Sequence, residues 1–434
     1  MRMRLLIYSQ ILLALLSAPK WLLAADSHST PPGTPQVTFR DFSSVDNMAI
    51  PETVKKLRFG WARNDFPWAG IEPKRGQWNW QKTDELVLQV HAEGVEILPV
   101  LDYTAPWAES TSGKIFSPPK RVEDWKDFVE HTVARYSRPP YNLRYFQVWN
   151  EPTRQAGFWL GSDEEFVDKV YLPAAKIIRS HGGRVVFGGW PASNSLQEFD
   201  SVLAYHDAWR WTDILDVHYE GLSNFQYLYD HWVKTGKCKG IWETELGFTA
   251  DPNFIPVNYL QILHWALQSG WDDPNQYKLF YFASWGAGPD GPNCLTTTDR
   301  QGRVVLTGQG QRLTVINEVL GPGALNSFSK FSVEVSGAKL QGSLGSALGF
   351  EDGRRIAIAL FLNRASLKPG NSISILLPQV SHPNLIKVLT AYGDELGLKS
   401  AFQAGQLKAS IPVRELPTGK EDGNLVILYL VAEP

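Results

Sequence analysis

From Val37 to Trp285 the chain alternates between two hydrophobic patterns. Short, mostly apolar runs stand at Leu57–Arg63, Val95–Leu101, Arg144–Trp149, Arg184–Gly189, Asp213–His218, Ile241–Glu245 and Lys278–Ser284, and a weaker one, Val37–Arg40, comes first. They read as eight β-strands, brief and apolar enough for a sheet covered on both faces. Between them apolar residues recur at helical spacing. Trp125, Phe128, Val129, Val133 and Tyr136 share one face; so do Phe166, Val167, Val170, Tyr171, Ala174 and Ile178, and so do Phe225, Leu228, Tyr229 and Trp232. A short helical piece is expected around Pro51 to Lys56, and Gly94 and Gly182 stand where helices should stop. Eight strand–helix units in a row predict an α/β fold, a closed parallel (β/α)8 TIM barrel rather than an open doubly wound sheet. No dinucleotide glycine fingerprint or phosphate loop follows the early strands, which weakens the open-sheet alternative.

The pattern changes near Gly321-Pro-Gly323. Runs with alternation follow, such as Phe331–Val335, Arg355–Phe361, Ser372–Leu377 and Leu425–Leu430, punctuated by Gly, Pro and Asn. They predict a small antiparallel β-sandwich packed on the barrel. At the other end, two arginines in Met1–Arg4 precede the apolar stretch Leu5–Ala18 and the small pair Ala24-Ala25, the layout of a secretory signal peptide. The expected organisation is a signal peptide over 1–25, a Pro/Ser/Thr-rich linker over 26–35, the barrel over 36–322 and the sandwich over 323–434. Export to the periplasm or the exterior follows. No later segment approaches 18 uninterrupted apolar residues, so the mature chain is expected to be soluble and to need no membrane.

Composition narrows the partners. The 434 residues carry 42 Lys+Arg against 45 Asp+Glu, a formal charge of −3, which argues against a nucleic-acid binder acting through bulk positive charge. Only two cysteines, Cys238 and Cys294, are present, too few for a disulfide scaffold or a cysteine-built metal site. The reading puts one near each end of the barrel, so they are expected to be unpaired. The 17 Trp, 15 Tyr and 21 Phe will largely be core, yet tryptophan at this density also suits stacking against sugar rings.

In a parallel barrel the loops at the carboxyl ends of the strands open onto one face, so the residues there test function with few free choices. The second to eighth ends read Trp61-Ala-Arg63, Leu101-Asp-Tyr103, Trp149-Asn-Glu-Pro152, Gly188-Gly-Trp190, Asp216-Val-His-Tyr219, Glu243-Thr-Glu-Leu-Gly247 and Ala283-Ser-Trp285. Glu151 and Glu245 thus face one opening, ringed by Arg, Asn, His, Tyr and Trp. Two carboxyl groups suit cleavage of a glycosidic bond, one delivering a proton to the departing oxygen and the other supplying electrons to the anomeric carbon. One must stay protonated and the other ionised, and Arg63 is assigned to hold Glu245 ionised. No Gly-x-Ser-x-Gly elbow supports a serine triad, and no carboxylate cluster supports a metal.

The fourth-strand sequence Gln147–Pro152 with Gly157-Phe-Trp159, and the seventh-strand Ile241–Gly247, resemble the two signatures of glycoside hydrolase clan A. Arg63–Trp68, then Ile71-Glu-Pro73, Gly76, Trp78 and Asp84, are similar to the region after the second strand in family 39 and its relatives. The resemblance implies that Glu151 is the general acid/base and Glu245 the nucleophile of a retaining enzyme, with carboxyls about 5 Å apart. It also implies that Asn150 binds the sugar 2-hydroxyl and that Trp285 floors the subsite. The clan often has His-x-Tyr after the sixth strand; here the order is His218-Tyr219-Glu220, which leaves the nucleophile's support open. The first strand and helix are short for the family, so the barrel is expected to be irregular at its start.

Blander readings compete. Glu243 lies two residues before Glu245 and so should point to the same side, one layer deeper, as a buried paired carboxylate. Arg63 could be structural, and His218 is as readily a packing residue as a site residue. Trp107, Trp159 and Trp190 are open to two readings, sugar platform or loop core, and Asp102 is a candidate for a hydroxyl contact. The expected site is therefore Glu151 and Glu245 as catalysts, with Asn150, Arg63, His218, Tyr219, Trp285, Trp159 and Asp102 around the substrate. The expectation is a secreted monomer acting on a β-linked polysaccharide or oligosaccharide with no metal or organic cofactor. The alternatives are an exo-acting, xylosidase-like glycosidase and a non-catalytic carbohydrate-binding barrel.

Overall fold

The computed structural model describes residues 37–47, 55, 57–378, 380, 385–403, 406–416 and 424–433. The expected signal peptide and linker lie outside the described residues, as does most of the helical piece expected at Pro51 to Lys56. The described residues form two compact units. One comprises Val37–Leu263 and Trp271–Asn317, the other His264–Gly270 with the residues from Glu318 onward.

The first unit is a (β/α)8 barrel. Its strands are β1 (Ser43–Asp46), β2 (Trp61–Pro67), β3 (Glu96–Asp102), β4 (Tyr145–Val148), β5 in two pieces (Arg184–Val186 and Trp190–Pro191), β6 (Ile214–His218), β7 (Gly240–Gly247) and β8 (Tyr277–Phe282). Each is parallel to its neighbours, and β1 closes the ring by pairing with β8 at Ser44 and Phe280. Side chains alternate along a regular strand, so one set faces the axis. Trp61, Leu98, Val186, Ile214, Trp242 and Phe280 form the buried plug at the amino-terminal end of that axis. Lys278 stands over the Trp61 and Trp242 rings at 4.8 and 5.4 Å, and burial pushes its amine down to about 7.

The predicted first strand at Val37–Arg40 is instead the entry to a helix, Phe39–Phe42. Asp41 Oδ2 accepts the Thr38 backbone N–H at 2.8 Å and Thr38 Oγ1 accepts that of Asp41, so a capping box overrides a weak strand propensity. The true β1, Ser43-Ser-Val-Asp46, has one apolar residue yet is wholly buried, and it pairs in register with both neighbours. Among the described residues, irregularities fall in the split β5 and in β7. The helical faces read from the sequence are the buried ones. Val122–Tyr136 buries Trp125, Phe128, Val129, Val133 and Tyr136 completely, and Phe166, Val170, Tyr171, Ala174 and Ile178 are as deep; Tyr229 is half-buried.

The second unit contains two antiparallel sheets. One is built around Ile356–Asn363, which pairs with Gly345–Glu351 and Leu425–Glu433; the other around Ser372–Leu377, which pairs with Ser332–Val335 and Gln406–Pro412. Alternate residues on facing strands, among them Ile358, Leu360, Ile373, Ile375, Leu428 and Leu430, make its core. Among the described residues no helix is long and apolar enough to cross a membrane. Cys238 and Cys294 are free and buried, as expected.

Candidate active site

Strict alternation along β7 would aim Trp242 and Thr244 at the axis and turn Glu243 and Glu245 outward. The strand does not keep it. Val217 of β6 pairs with Glu243, and the next residue, His218, pairs with Glu245, so β7 carries an extra residue at Thr244. This β-bulge brings Thr244 and Glu245 to the inner side together. Glu243 stays behind it, accepting the Glu220 backbone N–H at 2.5 Å. The expectation that both glutamates share one side is therefore corrected. Glu243 is fully buried and burial pushes its carboxyl well above the usual range, but it meets a backbone amide rather than a cation.

Glu245 is held at both oxygens. Arg63 Nη1 donates to Oε1 at 3.1 Å and the Tyr219 hydroxyl donates to Oε2 at 3.0 Å. Tyr219 reaches it although it follows His218 directly, because its backbone takes a left-handed φ of 58° while its N–H bonds the Glu245 carbonyl. Arg63 also donates to Gln147 Oε1 at 2.8 Å and to Asn150 Oδ1 at 2.7 Å, and pairs with Asp46 at 3.1 Å. Asn150 in turn donates to the Tyr103 hydroxyl at 3.0 Å, so its carboxamide is clamped from both ends. Glu151 stands across the opening. Its φ of 45° and that of Trp149, 71°, are left-handed too, a strain of roughly 1–3 kcal/mol each that fixed hydrogen bonds must hold. The Glu151 N–H bonds the Gly188 carbonyl at 2.8 Å. Glu151, His218 and Glu245 each place a ligating atom within 4.8 Å of the others.

His218 Nδ1 lies 3.1 Å from Glu151 Oε1 and 3.7 Å from Glu245 Oε1. Its Nε2 lies 3.0 Å from Thr244 Oγ1, whose hydroxyl donates to Asp216 Oδ2 at 2.8 Å. With that proton committed to Asp216, the Thr244 oxygen is left to accept from Nε2–H, which turns Nδ1 toward the two carboxyls. Burial would lower the His218 pKa, but the charge of Glu245 and the hydrogen bond to Glu151 outweigh it and the net shift is upward. Burial also pushes Asp216 up to about 7, against the pull of His218 and Arg63. Gly189, in the gap of β5, leaves room for the imidazole; a Cβ there would overlap it.

Other expected site residues fall outside this cluster. Trp159 is fully buried, its indole N–H donating to the Ser162 carbonyl at 2.8 Å and its ring edge-on to Trp149, so it is core and not a platform. Trp190, stacked on Phe199, is core as well, whereas Trp107 is half-buried. Asp102 has no exposed surface and neither carboxyl oxygen has a hydrogen-bond partner; burial keeps its carboxyl well above the usual range. A hydroxyl contact there is corrected to a carboxyl that is shut away inside the fold. Trp285 stands half-exposed beyond β8, its N–H donating to Thr298 Oγ1 at 3.0 Å. Asp46, Tyr103, Asp216 and Thr244 were not expected. Asp216 was open to inference, because Ile214, Asp216 and His218 share one side of β6.

Among the described residues, Glu151, His218 and Glu245 have spacing that could hold a metal ion. The Arg63 guanidinium already supplies a positive charge to Glu245, and a divalent cation there would set two cations against each other.

No protein-family model matches the chain. A curated β-xylosidase from Caldicellulosiruptor saccharolyticus is 35% identical over 77 residues, which cover 17% of this chain and 16% of that one. Solved structures match over nearly the whole chain at low identity. A family 39 glycoside hydrolase from Bacteroides cellulosilyticus WH2 is 14% identical with a TM-score of 0.62, over 92% of this chain and 83% of the other. The family 39 enzyme from Xanthomonas axonopodis pv. citri is also 14% identical with a TM-score of 0.61, over 92% and 95%. A family 30 endoxylanase from Clostridium papyrosolvens C71 is 15% identical with a TM-score of 0.58, over 93% and 98%. The chain therefore has the (β/α)8 fold of the family 39 and family 30 glycoside hydrolases.

Proposed function

We propose that the protein is an exported retaining glycoside hydrolase acting on β-linked sugars, with Glu245 as nucleophile and Glu151 as general acid/base. One observation carries this: the two glutamates offer oxygens within 4.8 Å of each other, and Arg63 and Tyr219 both hold Glu245. Two donors, one of them cationic, favour the ionised form of Glu245. In the first step a Glu245 oxygen bonds the anomeric carbon while the bond to the departing oxygen breaks, and Glu151 gives that oxygen its proton. In the second, Glu151 takes a proton from water, the water oxygen bonds the anomeric carbon, and the Glu245 ester breaks. Oxygens within 4.8 Å of each other suit this double displacement rather than direct attack by a water held between more widely spaced carboxyls. His218, against Glu151, is placed to steady its charge between the steps, and Asn150, fixed by Arg63 and Tyr103, to meet the 2-hydroxyl.

The xylosidase and endoxylanase similarities make β-xylosides the first substrates to test. Glu245→Gln and Glu151→Gln should each lower kcat on 4-nitrophenyl β-xyloside, or on whichever nitrophenyl glycoside the parent cleaves, by about 10²–10⁴-fold. Azide should restore turnover to Glu151→Ala, and early products should keep the β-configuration by NMR. Parent-like turnover by both glutamine variants, or an inverted product, overturns the assignment. Fusion of residues 1–25 to a reporter tests export.

A further inference from the structure

Glu243 is a buried carboxyl that the proposed reaction does not use. It has no exposed surface, and its Oε2 has no hydrogen-bond partner among the described residues. A carboxyl shut in this way costs stability, and an apolar side chain would fill the space behind the bulge without that cost. Its Oε1 accepts the backbone N–H of Glu220, the residue after Tyr219, at 2.5 Å. The Tyr219 N–H bonds the Glu245 carbonyl at 2.9 Å, so two consecutive amides of the turn after β6 point at β7. Along an extended strand successive N–H groups face opposite neighbours. The left-handed φ of 58° at Tyr219 turns the second one back to the same side. That backbone is strained for a tyrosine and persists only where its surroundings hold it. Beyond it the turn is tied again, a Glu220 carboxyl oxygen accepting from Asn224 Nδ2 in the helix Leu222–Leu228.

We propose that Glu243 is a positioning residue for Glu245: by accepting the Glu220 N–H it holds Tyr219 in its left-handed turn, and so keeps the Tyr219 hydroxyl on the Glu245 carboxyl. The inference rests on the hydrolase reading for its effect on turnover, though not for the placement of Tyr219. Glu243 and Glu245 then act on one turn from two sides of the same strand. The Glu245 carbonyl takes the first amide, the Glu243 side chain takes the second, and the tyrosine between them reaches Glu245 Oε2 at 3.0 Å. Without the acceptor at 243, the Glu220 amide is left buried and unpaired, and the turn gains by relaxing to an unstrained backbone that swings the phenol away. Arg63 would then hold Glu245 at Oε1 without the second donor at Oε2. Burial pushes the Glu243 carboxyl well above the usual range, so what the turn draws on is an acceptor oxygen rather than a charge. A glutamine keeps that oxygen and nearly the same shape.

The test sets Glu243→Met, which keeps the length and removes both oxygens, beside Glu243→Gln, Tyr219→Phe and the double variant Glu243→Met/Tyr219→Phe. On an aryl glycoside that the parent cleaves, Glu243→Met and Tyr219→Phe should each lower kcat about tenfold with KM held within about twofold. The double variant should also lose about tenfold, because both changes remove one contact. Glu243→Gln should stay within about twofold of the parent. Losses that multiply to about a hundredfold in the double variant, or a tenfold loss in Glu243→Gln, overturn the proposal. Should Glu243→Met not fold, Glu243→Asp, which withdraws the acceptor by one methylene, takes its place with the same expectations. Carbon-13 NMR of tyrosine labelled at Cζ reads the contact without turnover. The Tyr219 resonance, assigned by its loss in Tyr219→Phe, should move in Glu243→Met toward its position in Glu245→Ala, and should stay in place in Glu243→Gln. A resonance that Glu243→Met leaves at the parent position overturns the proposal. If the parent cleaves no glycoside, it is the hydrolase reading that fails, and this resonance alone decides whether Glu243 places Tyr219.

Discussion

Asp216 is the residue whose chemistry is most tightly set by its surroundings. It accepts from the backbone N–H and the hydroxyl of Thr244, and through that hydroxyl it fixes which nitrogen of His218 carries a proton. Its folded pKa, raised by burial to about 7, lies above the ordinary value of 3.8. The folded protein thus binds this proton more tightly than the unfolded chain does. The associated stability is fully present below about pH 4 and is lost as pH rises through about 7. Asp216→Asn removes the titration, so the decline in unfolding free energy between pH 4 and 7 should become shallower, by at most about 1.4 kcal/mol per pH unit. Chemical denaturation at a series of pH values reads this directly; parallel curves for parent and variant would mean that Asp216 does not titrate there. The variant should also reverse the hydrogen-bond chain, since an asparagine N–H would donate to Thr244 and the threonine hydroxyl to Nε2.

At the scale of elements, most of the architecture was legible because strand and helix periods alternate without long interruption. Helical faces such as Trp125–Tyr136 came through intact, since burial against a barrel demands the apolar stripe that period analysis detects. The first strand did not. Ser43, Ser44 and Asp46 are buried although polar, Ser44 and Asp46 on one side and Ser43 on the other, so apolar pattern carries no signal there. The glutamates were legible from motif and strand-end position, but the side on which Glu245 lies was not, because one inserted residue reverses the parity of everything after it. Trp159 and Asp102 misled for a related reason: being near a strand end fixes a residue's height in the barrel but not whether it is covered. The split in β5 offers a test. Gly189→Ala puts a methyl group where the His218 ring lies. It should displace the imidazole from Glu151, lower kcat on an aryl glycoside by about tenfold or more, and cost about 1–3 kcal/mol of stability. Parent-like kcat in that variant would remove His218 from the proposed machinery.

Over the whole molecule, the free thiols have consequences for handling. Cys238 is pushed up to about 12 by burial and Cys294 is raised as well, so neither offers a thiolate to reagents while the barrel is closed. A thiol-reactive disulfide such as Ellman's reagent should label neither cysteine until denaturant is added, and a reducing agent should leave Tm unchanged. Rapid labelling of the native protein would show an opening motion absent from the closed barrel. The extra residue in β7 has a different kind of reach. A redesign that idealised this stave, trimming one amino acid to restore a regular ladder, could yield a sturdier protein with every motif letter nearly in place and no working centre. Searches that score spelling alone would not tell such a variant from the parent, since what separates them is a local offset in registration rather than the identity of any reactive group.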